Sequence, residues 1–228
     1  RNPVRTQEMG AYTLTLNAMQ QKVVDAVIEN ARTEKKPCLI HGVTGSGKTE
    51  VYMELIAEAA GRGTQSIVLI PEIALTYQTV MRFYHRFGDR VSIMNSKLSP
   101  GERSDQFERA KKGEIDVMIG PRSALFTPFS NLGYIIIDEE HEGTYKSETI
   151  PRYHARETAI ERARMSGATV ILGSATPSIE SFYHAKKGDY LLLSMDKRVK
   201  EKPLPQCEIV DLSCLLYTSP SPRDKRQS

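Results

Sequence analysis

Short apolar runs alternate along the chain with longer stretches whose apolar residues recur at helical spacing. The runs occupy residues 38–41, 66–70, 91–94, 116–119, 134–137, 169–172 and 190–193. Between the first two, residues 49–60 place Val51, Leu55 and Ala59 on one helical face. Ser99-Pro100-Gly101-Glu102 predicts another helix start, with Ser99 as N-cap, Pro100 in the first turn and Glu102 closing a capping box. Residues 155–165 and 178–186 predict two further helices. Repeated βα units of this kind predict an α/β fold with a mainly parallel, doubly wound sheet. No internal repeat or linker interrupts residues 12–195, which read as one lobe, with 1–11 as an N-terminal flank and 196–213 as a connection onward.

The composition agrees with a soluble globular lobe and excludes disordered and fibrous classes: 39% of the 228 residues are hydrophobic and 26% charged. No apolar run approaches the ~20 residues needed to span a bilayer, and there is no signal-peptide pattern, so no membrane partner is expected. Three scattered cysteines without a C-x-x-C pair give neither a disulfide framework nor a zinc site, and a reducing, cytoplasmic setting is the expectation. The net charge of +3 overstates the basicity. From Cys214 onward the sequence changes character, and residues 214–228 read as translated sequencing-adaptor read-through rather than protein; a native Ser/Pro-rich linker is the alternative. Setting that tail aside removes three of 31 Lys and Arg and one of 28 Asp and Glu, leaving +1. Charge alone therefore gives no sign of nucleic acid, and any such reading must come from motifs.

Gly42-Val43-Thr44-Gly45-Ser46-Gly47-Lys48-Thr49 matches the G-x-x-x-x-G-K-[ST] phosphate loop, between an apolar run and a helix as that loop requires. Gly45, Ser46 and Gly47 let backbone N–H groups turn inward around phosphate, and the helix N-terminus adds its positive end. Lys48 is expected to reach the β- and γ-phosphates of ATP, and the Thr49 hydroxyl to bind Mg²⁺. The run 134–137 ends in Asp138-Glu139-Glu140-His141. Asp138, at the carboxyl end of a strand, is placed to bind the metal, and Glu139 to orient or deprotonate the attacking water. A solvated acidic turn is the alternative for these carboxylates.

Asp-Glu-x-His downstream of a phosphate loop resembles motif II of the superfamily 2 helicases. Gly173-Ser174-Ala175-Thr176-Pro177, following the run 169–172, resembles their motif III. Longer segments are similar to the replication-restart helicases of the bacterial primosome: 42–52, Pro71-Glu72-Ile73-Ala74-Leu75-Thr76, Arg122-Ser123-Ala124-Leu125-Phe126-Thr127-Pro128-Phe129, Tyr145-Lys146 and Arg152-Tyr153-His154-Ala155-Arg156. The similarity covers about residues 12–212.

That resemblance implies a RecA-like P-loop NTPase lobe, the first of two, from an enzyme that hydrolyses ATP to move 3′→5′ along DNA and unwind stalled forks. It makes Gln20 a reader of the adenine edge, although Asn17 and Gln20 also suit a helix N-cap and its N3 partner. It makes His141 and residues 173–176 (Gly173, Ser174, Ala175 and Thr176) the coupling between nucleotide and DNA. Thr76, Arg122 and Ser123 become phosphate contacts; a surface ion pair is the alternative for Arg122. Residues 142–156 resemble a loop that senses single-stranded DNA, with Tyr145 and Tyr153 as stacking faces and Lys146, Arg152 and Arg156 as charge. For Tyr153, packing against the lobe is the alternative.

The implied partners are single-stranded and forked DNA, other primosome proteins, a helicase loader and single-strand-binding protein. Zinc belongs to the full-length family, but its cysteines are absent from this chain, as are the N-terminal DNA-binding region and the second lobe with its arginine finger. The sequence departs from the family pattern at Asn95-Ser96-Lys97, where His-Ser-Gly is usual, and at Pro121, which replaces a Thr and has no N–H to offer phosphate. Another superfamily 2 translocase, or a non-motor module gated by nucleotide, remains the alternative reading.

Overall fold

Strands and helices alternate along residues 15–199, the part of the chain that the computed structural model describes. In order they are α1 (Ala18–Arg32), β1 (Cys38–Gly42), α2 (Lys48–Gly61), β2 (Gln65–Leu69), α3 (Tyr77–Phe87), β3 (Val91–Ile93), α4 (Pro100–Lys111), β4 (Val117–Gly120), β5 (Leu132–Asp138), α5 (Ala155–Ser166), β6 (Thr169–Ser174), α6 (Ile179–Lys187) and β7 (Leu191–Met195). Every pairing between these strands is parallel, in the order β3-β4-β2-β5-β6-β1-β7. The expected strands are all present, with ends shifted by a residue or two. The expected flank 1–11, residues 200–213 of the expected connection and the tail 214–228 lie outside the described residues. No helix among the described residues is long and apolar enough to cross a membrane.

The continuous apolar runs follow from burial on both faces of the sheet. Side chains alternate along a strand, so each strand feeds two cores. In β5, Tyr134 and Ile136 pack with Val23, Val27, Val51, Leu55 and Phe83 of α1–α3. Ile135 and Ile137 pack on the other face with Ala155, Ala159 and Ala163, which sit at i, i+4 and i+8 of α5. The capping boxes at Asn17/Gln20 and Ser99/Glu102 start α1 and α4 as the sequence predicts. Helix α3 carries no such announcement. Its Thr76 cap is held by a 3.3 Å bond from the Thr79 N–H, and its apolar residues are interleaved with Arg82 and Arg86.

Because all strands run the same way, their carboxyl ends share one rim. The β1–α2, β2–α3, β5–α5 and β6–α6 connections emerge there. The opposite rim holds only helix-to-strand returns, one of which is tied across by Lys35 (φ 53°) donating from Nζ to the Gly167 carbonyl at 3.2 Å.

Candidate nucleotide and DNA sites

Strand β1 ends at Gly42, and the chain turns back over itself before α2 begins at Lys48. Gly47 sits at φ 86°, in the left-handed region, and a Cβ there would meet Gln20 Nε2 at 2.1 Å. Gln20 is nearly fully buried. Its Oε1 accepts from the Asn17 N–H at 2.8 Å, and its Nε2 donates to the Gly47 carbonyl at 3.3 Å. The helix cap and the approach to the phosphate loop are therefore served by one amide. Lys48 is also buried, and its Nζ donates to the Gly42 carbonyl at 2.7 Å. The Ser46 hydroxyl is buried with no partner among the described residues. A cavity of about 630 Å³ is lined by Gln20, Gly45, Lys48, Thr49, Asp138 and Glu139.

Asp138 ends β5, and its Oδ1 accepts from the Tyr52 hydroxyl at 3.1 Å. Burial, and next the charge of Glu139, push the Asp138 carboxyl up to about 6. Glu139 adopts φ 47°, rare for a residue with a side chain, and so reverses the chain between two carboxylates. Asp138 and Glu139 line the cavity, whereas Glu140 turns into the interior. The Glu140 carboxylate accepts from the Ser178 N–H at 2.7 Å and the Ser181 hydroxyl at 2.8 Å, and pairs with Arg156 at 3.4 Å. His141 Nδ1 lies 2.7 Å from the Ser174 hydroxyl, which accepts from the Thr176 N–H at 3.0 Å. Ala175 lies half-buried in the same turn. Gly173 is required by close approach: a Cβ there would meet the Tyr52 hydroxyl at 1.6 Å.

A family model described as DEAD/DEAH box helicase matches residues 17–184. The chain belongs to that family. It is 51% identical over 179 residues to the Replication restart protein PriA of Bacillus subtilis, an alignment covering 78% of this chain and 22% of that protein. Against the Replication restart protein PriA of Chlamydia trachomatis serovar D it is 44% identical over 201 residues, covering 87% of this chain and 27% of the other. The chain thus spans about a quarter of the length of these relatives. Among solved structures, RecG bound to a three-way DNA junction matches with a TM-score of 0.60 at 23% identity, over 91% of this chain and 27% of that one. That likeness establishes the RecA-like helicase-lobe fold.

The chemistry of the cavity fits the magnesium nucleotide that DEAD/DEAH box helicases use. It combines the buried Lys48 ammonium with the hard oxygen donors of Thr49 and Asp138. Sequence reading found Lys48, Thr49, Asp138 and Glu139 from spacing alone. It missed Tyr52, whose signal is its position four residues after Lys48 on the same helical face. It also missed Arg82, which reaches from α3 to pair with Glu50 at the cavity wall.

A second cavity, of about 780 Å³, lies on the same rim and is lined by Pro71, Ser96, Arg103, Arg122, Ser123 and Lys146 among others. Ser123 and Lys146 are exposed there, Arg152 is exposed on the loop nearby, and Thr76 is exposed at the head of α3. Two expected DNA contacts are corrected. Tyr145 is buried, and its hydroxyl lies 2.7 Å from the Asp138 carbonyl and 3.0 Å from that of Leu69, so it presents no ring face to a base. Arg156 is buried, bonded to Ser178 and Ser181 and paired with Glu140 at 3.4 Å and with the more exposed Glu157 at 2.7 Å, so its charge is already paired within the lobe. Tyr153 is half-buried and packs edge-to-face on the exposed Phe126, with centroids 5.3 Å apart. Among the described residues Arg122 has no ion-pair partner; its Nη1 donates to the carbonyls of Thr144 at 2.9 Å and Lys146 at 2.6 Å.

Proposed function

We propose that this chain is the first, ATP-binding lobe of a replication-restart DNA helicase, an enzyme that hydrolyses ATP to translocate 3′→5′ on DNA and unwind stalled forks. The observation that carries the reading is the convergence of Lys48, Thr49, Asp138 and Glu139 on one cavity, with motif III bonded to motif II through His141 and Ser174. Similarity to PriA proteins supports the replication-restart assignment.

Backbone N–H groups of residues 45–49 and the Lys48 ammonium hold the phosphates, and Gln20 holds the base edge. Thr49 and Asp138 would hold Mg²⁺, which when bound neutralises charge on the phosphate oxygens. The Glu139 carboxylate accepts a proton from the water that attacks the γ-phosphorus, and ADP leaves with the cleaved bridging oxygen. His141 and residues 173–176 transmit the phosphate state to the DNA groove, where Thr76, Arg122, Ser123, Lys146, Arg152 and Tyr153 bind the strand. Residues 12–195 form the lobe, and the whole protein acts in the cytoplasm on single-stranded and forked DNA. Other primosome proteins, a helicase loader and single-strand-binding protein are its partners, and the whole protein carries zinc outside this segment.

In the full-length protein, Glu139→Gln is expected to bind a fluorescent ATP analogue normally while DNA-stimulated turnover falls by about 10²–10⁴-fold. Lys48→Ala is expected to lose analogue binding. Unchanged turnover in Glu139→Gln would overturn the role given to Glu139.

A further inference from the structure

Met195 ends β7, and the chain does not leave the lobe there. The Val43 N–H donates to the Met195 carbonyl at 3.1 Å, and the Val199 N–H donates to the Gly45 carbonyl at 3.0 Å. Residues 195–199 are thus bonded at both ends to the backbone of the phosphate loop. From the sequence, residue 196 onward reads only as a connection, with no sign of this return. A Cβ on Gly47 would meet Val199 Cγ2 at 3.0 Å, and the same atom would meet the Gln20 amide. Arg198 and Val199 both line the nucleotide cavity. Val199 is 53% exposed, so an apolar group stands open at the wall of a largely polar site.

Three cationic side chains line that cavity. Lys48 donates to the Gly42 carbonyl and Arg82 pairs with Glu50. Arg198 is half-buried and has no hydrogen bond, ion pair or ring contact among the described residues. We propose that Arg198 and Val199 form the wall of the nucleotide site that packs on the face of the base. The inference rests on the proposed function and deepens it: Gln20 meets the edge of the base, and the return after β7 supplies a surface for its plane. A guanidinium is flat, delocalised and weakly hydrated, so it stacks on a purine ring as it does on an aromatic side chain. Val199 adds apolar contact beside it. The bonds to residues 43 and 45 hold this surface in register with the loop that cradles the phosphates. The position of Val199 against Gly47 and Gln20 assigns the wall to the base rather than to the transferring phosphoryl group. A contact of that kind is made alike to ATP, to ADP and in the transition state, so it sets affinity and not rate.

The test uses the full-length protein with Mg²⁺ and a single-stranded oligonucleotide. It measures KM for ATP, kcat, Kd for ADP and the inhibition constant of tripolyphosphate, which has no base. Arg198→Ala is expected to raise KM and the ADP Kd by about tenfold each, while kcat stays within about threefold. The tripolyphosphate constant should not move. Arg198→Lys should resemble Arg198→Ala, since an ammonium keeps the charge and loses the plane. Val199→Ala should weaken ADP by about threefold. An unchanged ADP Kd in Arg198→Ala would overturn the proposal. So would a tripolyphosphate constant that weakens in step, recovery in Arg198→Lys, or a loss confined to kcat, each of which would put the side chain on a phosphate. All four leave the nucleotide site itself standing. A wild-type protein that binds neither ADP nor tripolyphosphate would overturn that site, and the wall with it. Arg198 makes no bond within the lobe, so its variants remove no internal contact and their results do not depend on Val199→Ala.

Discussion

Asp138 is under two opposed demands. Burial and the adjacent Glu139 favour its protonated form, whereas holding a divalent cation requires the carboxylate. Its folded pKa of about 6 lies above the unfolded value, so the folded state keeps this proton to higher pH. The contribution to stability is therefore fully present below ~4 and is lost as pH rises through 6. In the absence of metal and nucleotide, Asp138→Asn should be more stable than wild type at pH 7.5, by on the order of 1–3 kcal/mol, with no gain near pH 4. Urea unfolding at the two pH values measures this, and equal midpoints at pH 7.5 would show that the carboxylate is solvated. Nucleotide binding in Mg²⁺ should weaken in the opposite direction, as pH falls through 6. At this scale the sequence was most legible where spacing fixes geometry: Lys48 and Thr49 follow from the loop pattern, and Asp138 from the end of a strand. Tyr145 and Arg156 were misread because residue type reveals what a side chain can do, not which way its loop turns it. Glu139 at positive φ supplies that turn, and no pattern in the sequence announces it.

Between elements, the buried pair Glu140–Arg156 joins the end of β5 to the starts of α5 and α6. Ser178 and Ser181 complete the hydrogen bonding of the carboxylate, which is why an ion pair with its Glu140 side chain wholly inaccessible can persist. Arg156→Met leaves that carboxylate without its countercharge and should cost about 3–5 kcal/mol in urea unfolding. The double variant Arg156→Met with Glu140→Leu should recover much of the loss, since no charge is then stranded. A double variant as unstable as Arg156→Met alone would place the cost in packing instead. Periodicity exposed the elements with clean stripes or caps, such as α2 and α4. It passed over α3, although Val80, Phe83, Tyr84 and Phe87 recur there at i, i+3, i+4 and i+7, with Arg82 and Arg86 on another face pairing with Glu50 and Glu54 on α2.

For the whole molecule, the two cavities draw on one sheet and share the connection that leaves β5. The nucleotide cavity takes residues from the ends of β1 and β5, and the larger cavity from the connections after β2, β3, β4 and β5. A polypeptide of residues 12–212 is expected to bind nucleotide and yet hydrolyse it at least ~10³-fold more slowly than the full-length protein, because the resemblance assigns the charge-stabilising arginine to another lobe. Comparable turnover by the two polypeptides would contradict that division of labour. The parallel order has a further, practical consequence. Since chemistry gathers where strands end, the far rim, with its helix-to-strand returns and the Lys35–Gly167 tie, is a neutral place to hold the molecule. A dye or surface tether attached at the exposed Lys112, just beyond α4, would ride with the sheet as a rigid body and leave both cavities open. Nucleotide binding could then be followed from a vantage point that neither cavity reaches.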